Sequence, residues 1–352
     1  MMPLRLSAST FVASSPVLNE RGTGATSAAE YARLYAEARR EAANLSIKSR
    51  AEIARVYREA ADEAAKVVER ALERGLSELT VERWASIEAQ LRDAAEDMAR
   101  GVERIGTKLV TDSGSLYAKV DADYLLSAVS AAGAGKSITS AVIGRMVTGV
   151  NRKLVESLVT RLWSDGYTFS ERCWNLRADW LERIRMTVAA GIAQGRDPAK
   201  IAKDIQAYTA DGKVALIQRW GKLERGTAEF AKRIPGRVDW RATRLVRSEL
   251  HASLQDAGIA AGEINPGCSG FFDWVLSPGR EDWPCSCAEL AAGGPYKADQ
   301  VPTYPHPHCG CSVRPRLRDR KEFVADLRRK FIHGESVPYL DKWYDEKYKG
   351  AA

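Results

Sequence analysis

Apolar residues recur at three-and-four spacing along most of the chain up to Ile259, the mark of helices that each bury one face. One stripe runs through Ile53, Val56, Tyr57, Ala60, Ala64, Val67, Val68, Leu72 and Leu76. A second follows through Trp84, Ile87, Leu91, Ala94, Met98, Val102, Ile105 and Leu109. Ala, Glu and Arg fill the remaining positions, which favours helix on propensity. Each stripe needs cover, and a long helical hairpin turning near residues 75–80 lets the two face each other. Asp112, Ser113, Gly114 and Ser115 then read as a polar break.

Further helices follow the break. Ile138, Val142, Met146, Val150, Leu154, Leu158 and Leu162 share a face until Asp165-Gly166 ends the pattern. Trp180, Ile184 and Val188 mark the next helix, which stops at Gly195. Asp197 with Pro198 is an N-cap and first-turn pair that opens the helix of Ile201, Ile205 and Tyr208. Another helix starts around Asp239 and continues through Leu245, Leu250 and Ile259.

At Asn265-Pro266-Gly267 the texture changes. Residues 270–276 are aromatic-rich and predict a strand, and Gly, Pro, Cys and His dominate from there to Pro315. Phe323, Val324, Leu327 and Phe331 predict one short helix before a polar, tyrosine-bearing tail. The expected fold is mainly α, with a small β-containing Cys/His module near the C-terminus. Its units are a flexible arm over 1–26, the hairpin over 27–111, a central helical domain over 116–264, the module over 265–318, and a short helix and polar tail over 319–352.

Composition adds limits. The 352 residues can bury a sizeable core, and no stretch approaches the ~20 uncharged apolar residues of a membrane helix. The first 21 residues lack the apolar run of a signal peptide, which predicts synthesis and residence inside the cell. A formal net charge of +7 makes contact with polyanions plausible. The densest basic run, Arg314 to Lys321, reads as a solvated surface stretch.

Chemistry concentrates in one place. Of six cysteines, Cys173 and Cys268 stand alone, whereas Cys285, Cys287, Cys309 and Cys311 form two C-x-C pairs beside His306 and His308. Zinc takes four soft or borderline ligands in a tetrahedron, and thiolates with an imidazole from two segments supply them. Reduced buried cysteines or a redox pair are the alternatives, and C-x-C reaches one ion less comfortably than C-x-x-C. A deaminase reading fails because His251 is followed by Ala252-Ser253, with no H-x-E. Gly135-Lys136-Ser137 lacks the first glycine of a phosphate loop, since Ser130 holds that position, and reads as a flexible turn. Arg244, Arg247, Glu249 and His251 on one helix predict surface or interface salt bridges, because Glu249 and His251 point apart. Trp240, Phe271, Phe272, Trp274 and Trp283 predict a small core around the Cys/His module.

The order of these features resembles the phage Mu F-like family of minor head proteins. The resemblance rests on Arg247-Ser248-Glu249 in a helix, a glycine-bounded strand ending in Trp274, a cysteine pair, and His306-Pro307-His308-Cys309-Gly310-Cys311. The family tail reads H-P-x-C-x-C, which implies His306, Cys309 and Cys311 as its positions and leaves His308 in the variable slot. The stretch from Trp180 through Gly191-Ile192-Ala193-Gln194-Gly195 to Ile205 is also similar, so the likeness spans about 179–315. The family usually has C-x-x-C where this chain has Cys285-Ser286-Cys287. The resemblance implies a non-enzymatic structural protein of the phage head, near the portal vertex, made in the host cytoplasm. It also implies portal and major capsid proteins as partners, a role in head morphogenesis and genome packaging or delivery, and contact with packaged DNA. Structural zinc on Cys285, Cys287, His306, Cys309 and Cys311 is the expected cofactor. The rivals are a zinc-dependent hydrolase or nuclease and a basic DNA-binding protein.

Overall fold

The computed structural model describes residues 27–73, 80–163, 165–221, 228, 232, 235–277, 285–303 and 309–352. The expected arm over 1–26, most of the hairpin turn, Trp283, His306 and His308 lie outside the described residues.

Helices α1 (Ala28–Glu73) and α2 (Val81–Ala132) form the frame. They run antiparallel: Tyr31 donates to Asp121, Tyr35 stacks edge-on against Tyr117, and Val56 lies against Gly101. The expected stripes are the buried faces, with Ile53, Tyr57, Val68, Ile87, Leu91 and Met98 all enclosed. Thr80 caps α2 by accepting from the Arg83 amide, which satisfies a free N–H of the first turn.

The break expected at residues 112–115 is absent, and the boundary drawn between 111 and 116 falls inside α2. Ser113 and Gly114 are buried, and a Cβ on Gly114 would collide with Leu154, with Ala257 at contact distance beyond. These small residues are therefore packing positions that let two other helices approach α2, with no loss of helical backbone. A Gly lowers local propensity by ~1 kcal/mol and each Ser by less, which tertiary burial overrides.

Three helices pack on this frame, α3 (Ser140–Thr160), α4 (Phe169–Ala193) and α5 (Pro198–Asp211), and α6 (Lys213–Trp220) packs on α5. Thr168 and Glu171 form a reciprocal capping box on α4, and Asp197 caps α5 with Pro198 in its first turn, as the sequence predicts. Leu162 lies beyond the end of α3 and is 65% exposed, so it does not extend that helix's buried stripe. Helix α7 (Trp240–Ile264) closes the bundle against α2 and α3 and delivers the chain to the C-terminal module.

The module is a three-stranded antiparallel sheet in the order β2-β1-β3: β1 (Cys268–Val275), β2 (Tyr296–Lys297) and β3 (Ser312–Leu317). Pro315 is tolerated because β3 is an edge strand. Instead of lying as a solvated run, the basic residues from Arg314 onward form half of β3 and the link to the next helix. Arg314 and Arg316 pair with Asp273, Arg318 covers the ring of Tyr339, and Arg320 donates to the Tyr124 carbonyl and Ser127 hydroxyl.

After α9 (Arg320–Phe331) and α10 (Pro338–Trp343) the chain does not trail off as a polar tail. Trp343 donates to the Ile264 carbonyl, and the Tyr348 hydroxyl accepts from the Thr139 amide. Tyr348 stacks on Tyr344 and packs at a tilt against Trp343, so this segment seals the start of α3 and the end of α7.

Gly258 of α7 decides how closely the module sits. A Cβ there would come 2.5 Å from the Val313 carbonyl oxygen and 2.8 Å from the Tyr35 hydroxyl, which itself donates to that carbonyl. Backbone cannot yield as a side chain can. Gly258→Ala is expected to destabilise the fold by about 1–3 kcal/mol, read as a shift in a urea unfolding midpoint at unchanged m. An unshifted midpoint would show that the sheet is not seated on α7 as described.

Candidate metal centre

The register between β1 and β3 pairs Trp274 with Val313 and Val275 with Ser312. This places the end of β1 beside the segment Cys309-Gly310-Cys311, which leads directly into β3. Alternate residues of an extended chain share a face, so both thiols can turn to one side. From the other side comes Cys287, the first residue of the short helix α8 (Cys287–Gly293).

The sulfurs of Cys287, Cys309 and Cys311 lie within 4.8 Å of one another, and all three residues are buried. Cys287 and Cys309 are 3.6 Å apart at sulfur. The C-x-C spacing is thus no obstacle at Cys309 and Cys311. Cys285 is different: it is half-buried in the bend before α8, and its thiol interacts with Cys287 without joining the three-sulfur group. His306 and His308 lie outside the described residues.

Phe272, Trp274, Val313 and Cys268 form the apolar wall. Burial pushes the Cys287 thiol up to about 12. The Cys309 thiol is raised by its hydrogen bond to Cys311 and then by burial, while Cys311 is lowered chiefly by that same bond. The Ser277 backbone N–H also favours the Cys311 thiolate. Trp274 Nε1 is buried without a hydrogen bond of normal geometry, yet stands close enough to favour that thiolate too. Buried thiols gathered on one side of an apolar pocket, with N–H groups turned to one sulfur, are a donor set that can hold a metal ion.

The support behind the cluster comes from α1. Arg39 donates to the Leu276 carbonyl at 3.0 Å and the Gly310 carbonyl at 2.8 Å, and so ties the end of β1 to the loop between two of the cysteines. Tyr35 holds Val313 from the same helix. Sequence reasoning missed both residues, because nothing local in α1 marks a contact with chain some 270 positions away.

The other singled-out residues separate. Glu249 is fully buried and makes no surface bridge. It accepts from Trp163 Nε1 at 2.5 Å and from Arg161 at 3.3 Å, and burial raises its pKa against the opposing pull of Arg161. Its partners come from the loop after α3, 86 and 88 residues away, so no helical spacing within α7 reveals them. Phe272 and Trp274 join the module core as expected, whereas Phe271 is 38% exposed and Trp240 lies elsewhere, under Arg241 and Arg244. Gly135 and Lys136 form an open turn between α2 and α3. Among the described residues no helix is long and apolar enough to cross a membrane. No family model, curated protein or solved structure matches the chain.

Proposed function

We propose that the chain is a minor head protein of a tailed bacteriophage, associated with the portal vertex and acting in head morphogenesis and genome packaging or delivery. Its Cys module is read as a structural centre stapled by zinc. The observation that carries this reading is the buried three-thiol cluster, formed within the very segment that resembles the phage Mu F-like family.

Tetrahedral zinc with bonds of about 2.3 Å to sulfur separates its thiolates by about 3.8 Å, close to the 3.6 Å between Cys287 and Cys309. Cys287, Cys309 and Cys311 would hold the ion, with Cys285 or His306 as the fourth donor. Bound zinc supplies a cross-link between α8 and the approach to β3. Four protein ligands leave no open position for a reacting water, which favours a structural over a hydrolytic role. The chain's own residues then transmit that rigidity: Arg39 and Tyr35 fasten the module to α1, and the long hairpin offers its outer faces to portal or capsid subunits.

Mass spectrometry of purified proheads and virions tests the assignment. The chain is expected in both, or in proheads alone if it serves assembly only. Absence from both would overturn the head-protein reading.

A further inference from the structure

A long groove separates α4 from α7, and at one end Ile259 and Val301 divide it from the cysteine cluster, against which both pack. Its main part encloses about 1120 Å³ between the loop after α3, one face of each helix, and Val301, Pro302 and Thr303. A further 580 Å³ continues past Arg183, Pro235 and Arg237, sharing Trp240 and Arg241 with the first. Along α7 the lining runs from Arg241 to Ile259, which at 1.5 Å per residue is ~27 Å, the length of about eight extended residues.

Three features of this groove are unusual for a surface left to solvent. Its rim carries exposed apolar side chains, Leu162 at 65%, Tyr167 at 47% and Trp240 at 36%. Its arginines are held in place: Arg172 lies 4.9 Å over Trp163 and pairs with Asp165, and Arg241 pairs with Asp179. Arg244 is the exception, packed 5.9 Å from Trp240 with no carboxylate partner among the described residues. Finally, Gln255 lines the groove at only 4% exposure and makes no hydrogen bond among the described residues, and Arg172 Nε is likewise buried without an acceptor. An unpaired buried donor is unfavourable, and an arriving carbonyl or carboxylate would satisfy it.

We propose that the groove between α4 and α7 is the docking site for an extended peptide segment of a partner protein, one that carries a carboxylate flanked by apolar side chains. Charge pattern decides against a nucleic acid strand. Asp165, Asp179 and Asp256 alternate with the arginines along the groove and would repel evenly spaced phosphates, whereas a peptide can place a carboxylate at Arg244 and an apolar group at the rim. Guanidinium groups already lie over Trp163 and Trp240, which disfavours base stacking there. Extended backbone also brings the carbonyls that Gln255 and Arg172 lack. Trp, Tyr and Arg are the residue types that dominate binding hot spots between proteins. The proposal does not depend on the head-protein reading, because it follows from the groove alone.

A yeast-displayed library of random twelve-residue peptides, sorted against the full chain at 150 mM salt, provides the probe. Enriched peptides are expected to contain an Asp or Glu residue flanked by apolar ones. Their affinity should fall tenfold or more for Arg244→Glu and for Tyr167→Ala. Both side chains are exposed, so the melting temperature should stay within a degree or two of wild type, and Lys108→Glu on α2 serves as the distant control. Three outcomes would overturn the proposal: no enrichment, binders indifferent to Arg244→Glu, or a labelled twenty-residue oligothymidylate that binds at this salt and is lost with the same substitution.

Discussion

Cys309→Ser is expected to release zinc and to loosen the sheet while leaving the helices folded. The thiol lies 3.6 Å from that of Cys287 and is hydrogen-bonded to Cys311, so its loss removes one of the three gathered donors. In isolated zinc-binding peptides the metal contributes on the order of 10 kcal/mol to folding. Here the damage should be confined, because the buried residues form two clusters: a large helical one, and a small one made of Phe272, Trp274, Val313 and the cysteines. Elemental analysis should give one zinc per chain for wild type and close to none for the variant. Hydrogen exchange should accelerate by two or more orders of magnitude at residues 272–275 and 312–317, with far-ultraviolet circular dichroism changed only slightly. A strong chelator should produce the same exchange pattern in wild type. A variant that retains a full equivalent of zinc, or a metal-free wild type with unchanged protection in β1, would sink the stapled-module reading.

How much of this was legible beforehand depends on the range of the interaction. Helix faces follow from local periodicity, and Asp197 with Pro198 marked the start of α5 because caps act within one turn. Gly114 reads as a break for the opposite reason: the reward for its missing side chain comes from Leu154 in another helix. The cysteine group was legible as a clustering of residue types, but not which thiols converge, since that depends on the β1–β3 register. From its own helix Glu249 reads as a surface or interface residue, because its partners, Arg161 and Trp163, arrive from a loop outside that helix. The basic run at Arg314 failed in the same way, its charge being taken up by Asp273 across the sheet and by Tyr124 and Tyr339. Arg39, which fastens the cysteine loop, shows no sequence signal at all.

The same blindness to long range hid Asp121, which carries the second large effect. It sits fully buried in the C-terminal part of α2, where Tyr31 of α1 donates to one carboxyl oxygen at 3.0 Å and Asn265 donates to the same oxygen at 2.8 Å. The other oxygen has no partner among the described residues. Tyr35 and Tyr124 surround it, with Cys268 of β1 nearby, and none of these supplies positive charge. Burial raises the Asp121 pKa to about 7 from 3.8, only partly opposed by the hydrogen bonds from Asn265 and Tyr31. The folded state therefore holds a proton that the unfolded state has released throughout that interval. Its contribution to stability is complete below about 3.8 and is lost as pH climbs to about 7. The interval of about 3 pH units at 1.36 kcal/mol each amounts to about 4 kcal/mol. Asp121→Asn cannot ionise, so the stability of the variant relative to wild type should rise by about 4 kcal/mol between pH 4 and pH 8, measured by urea unfolding at each pH. Taking the difference cancels the four histidines and every other group common to both proteins. Parallel pH profiles for the two proteins would mean that Asp121 is ionised at acid pH in the folded chain, and that its unpartnered oxygen is met by water or a cation inside the bundle.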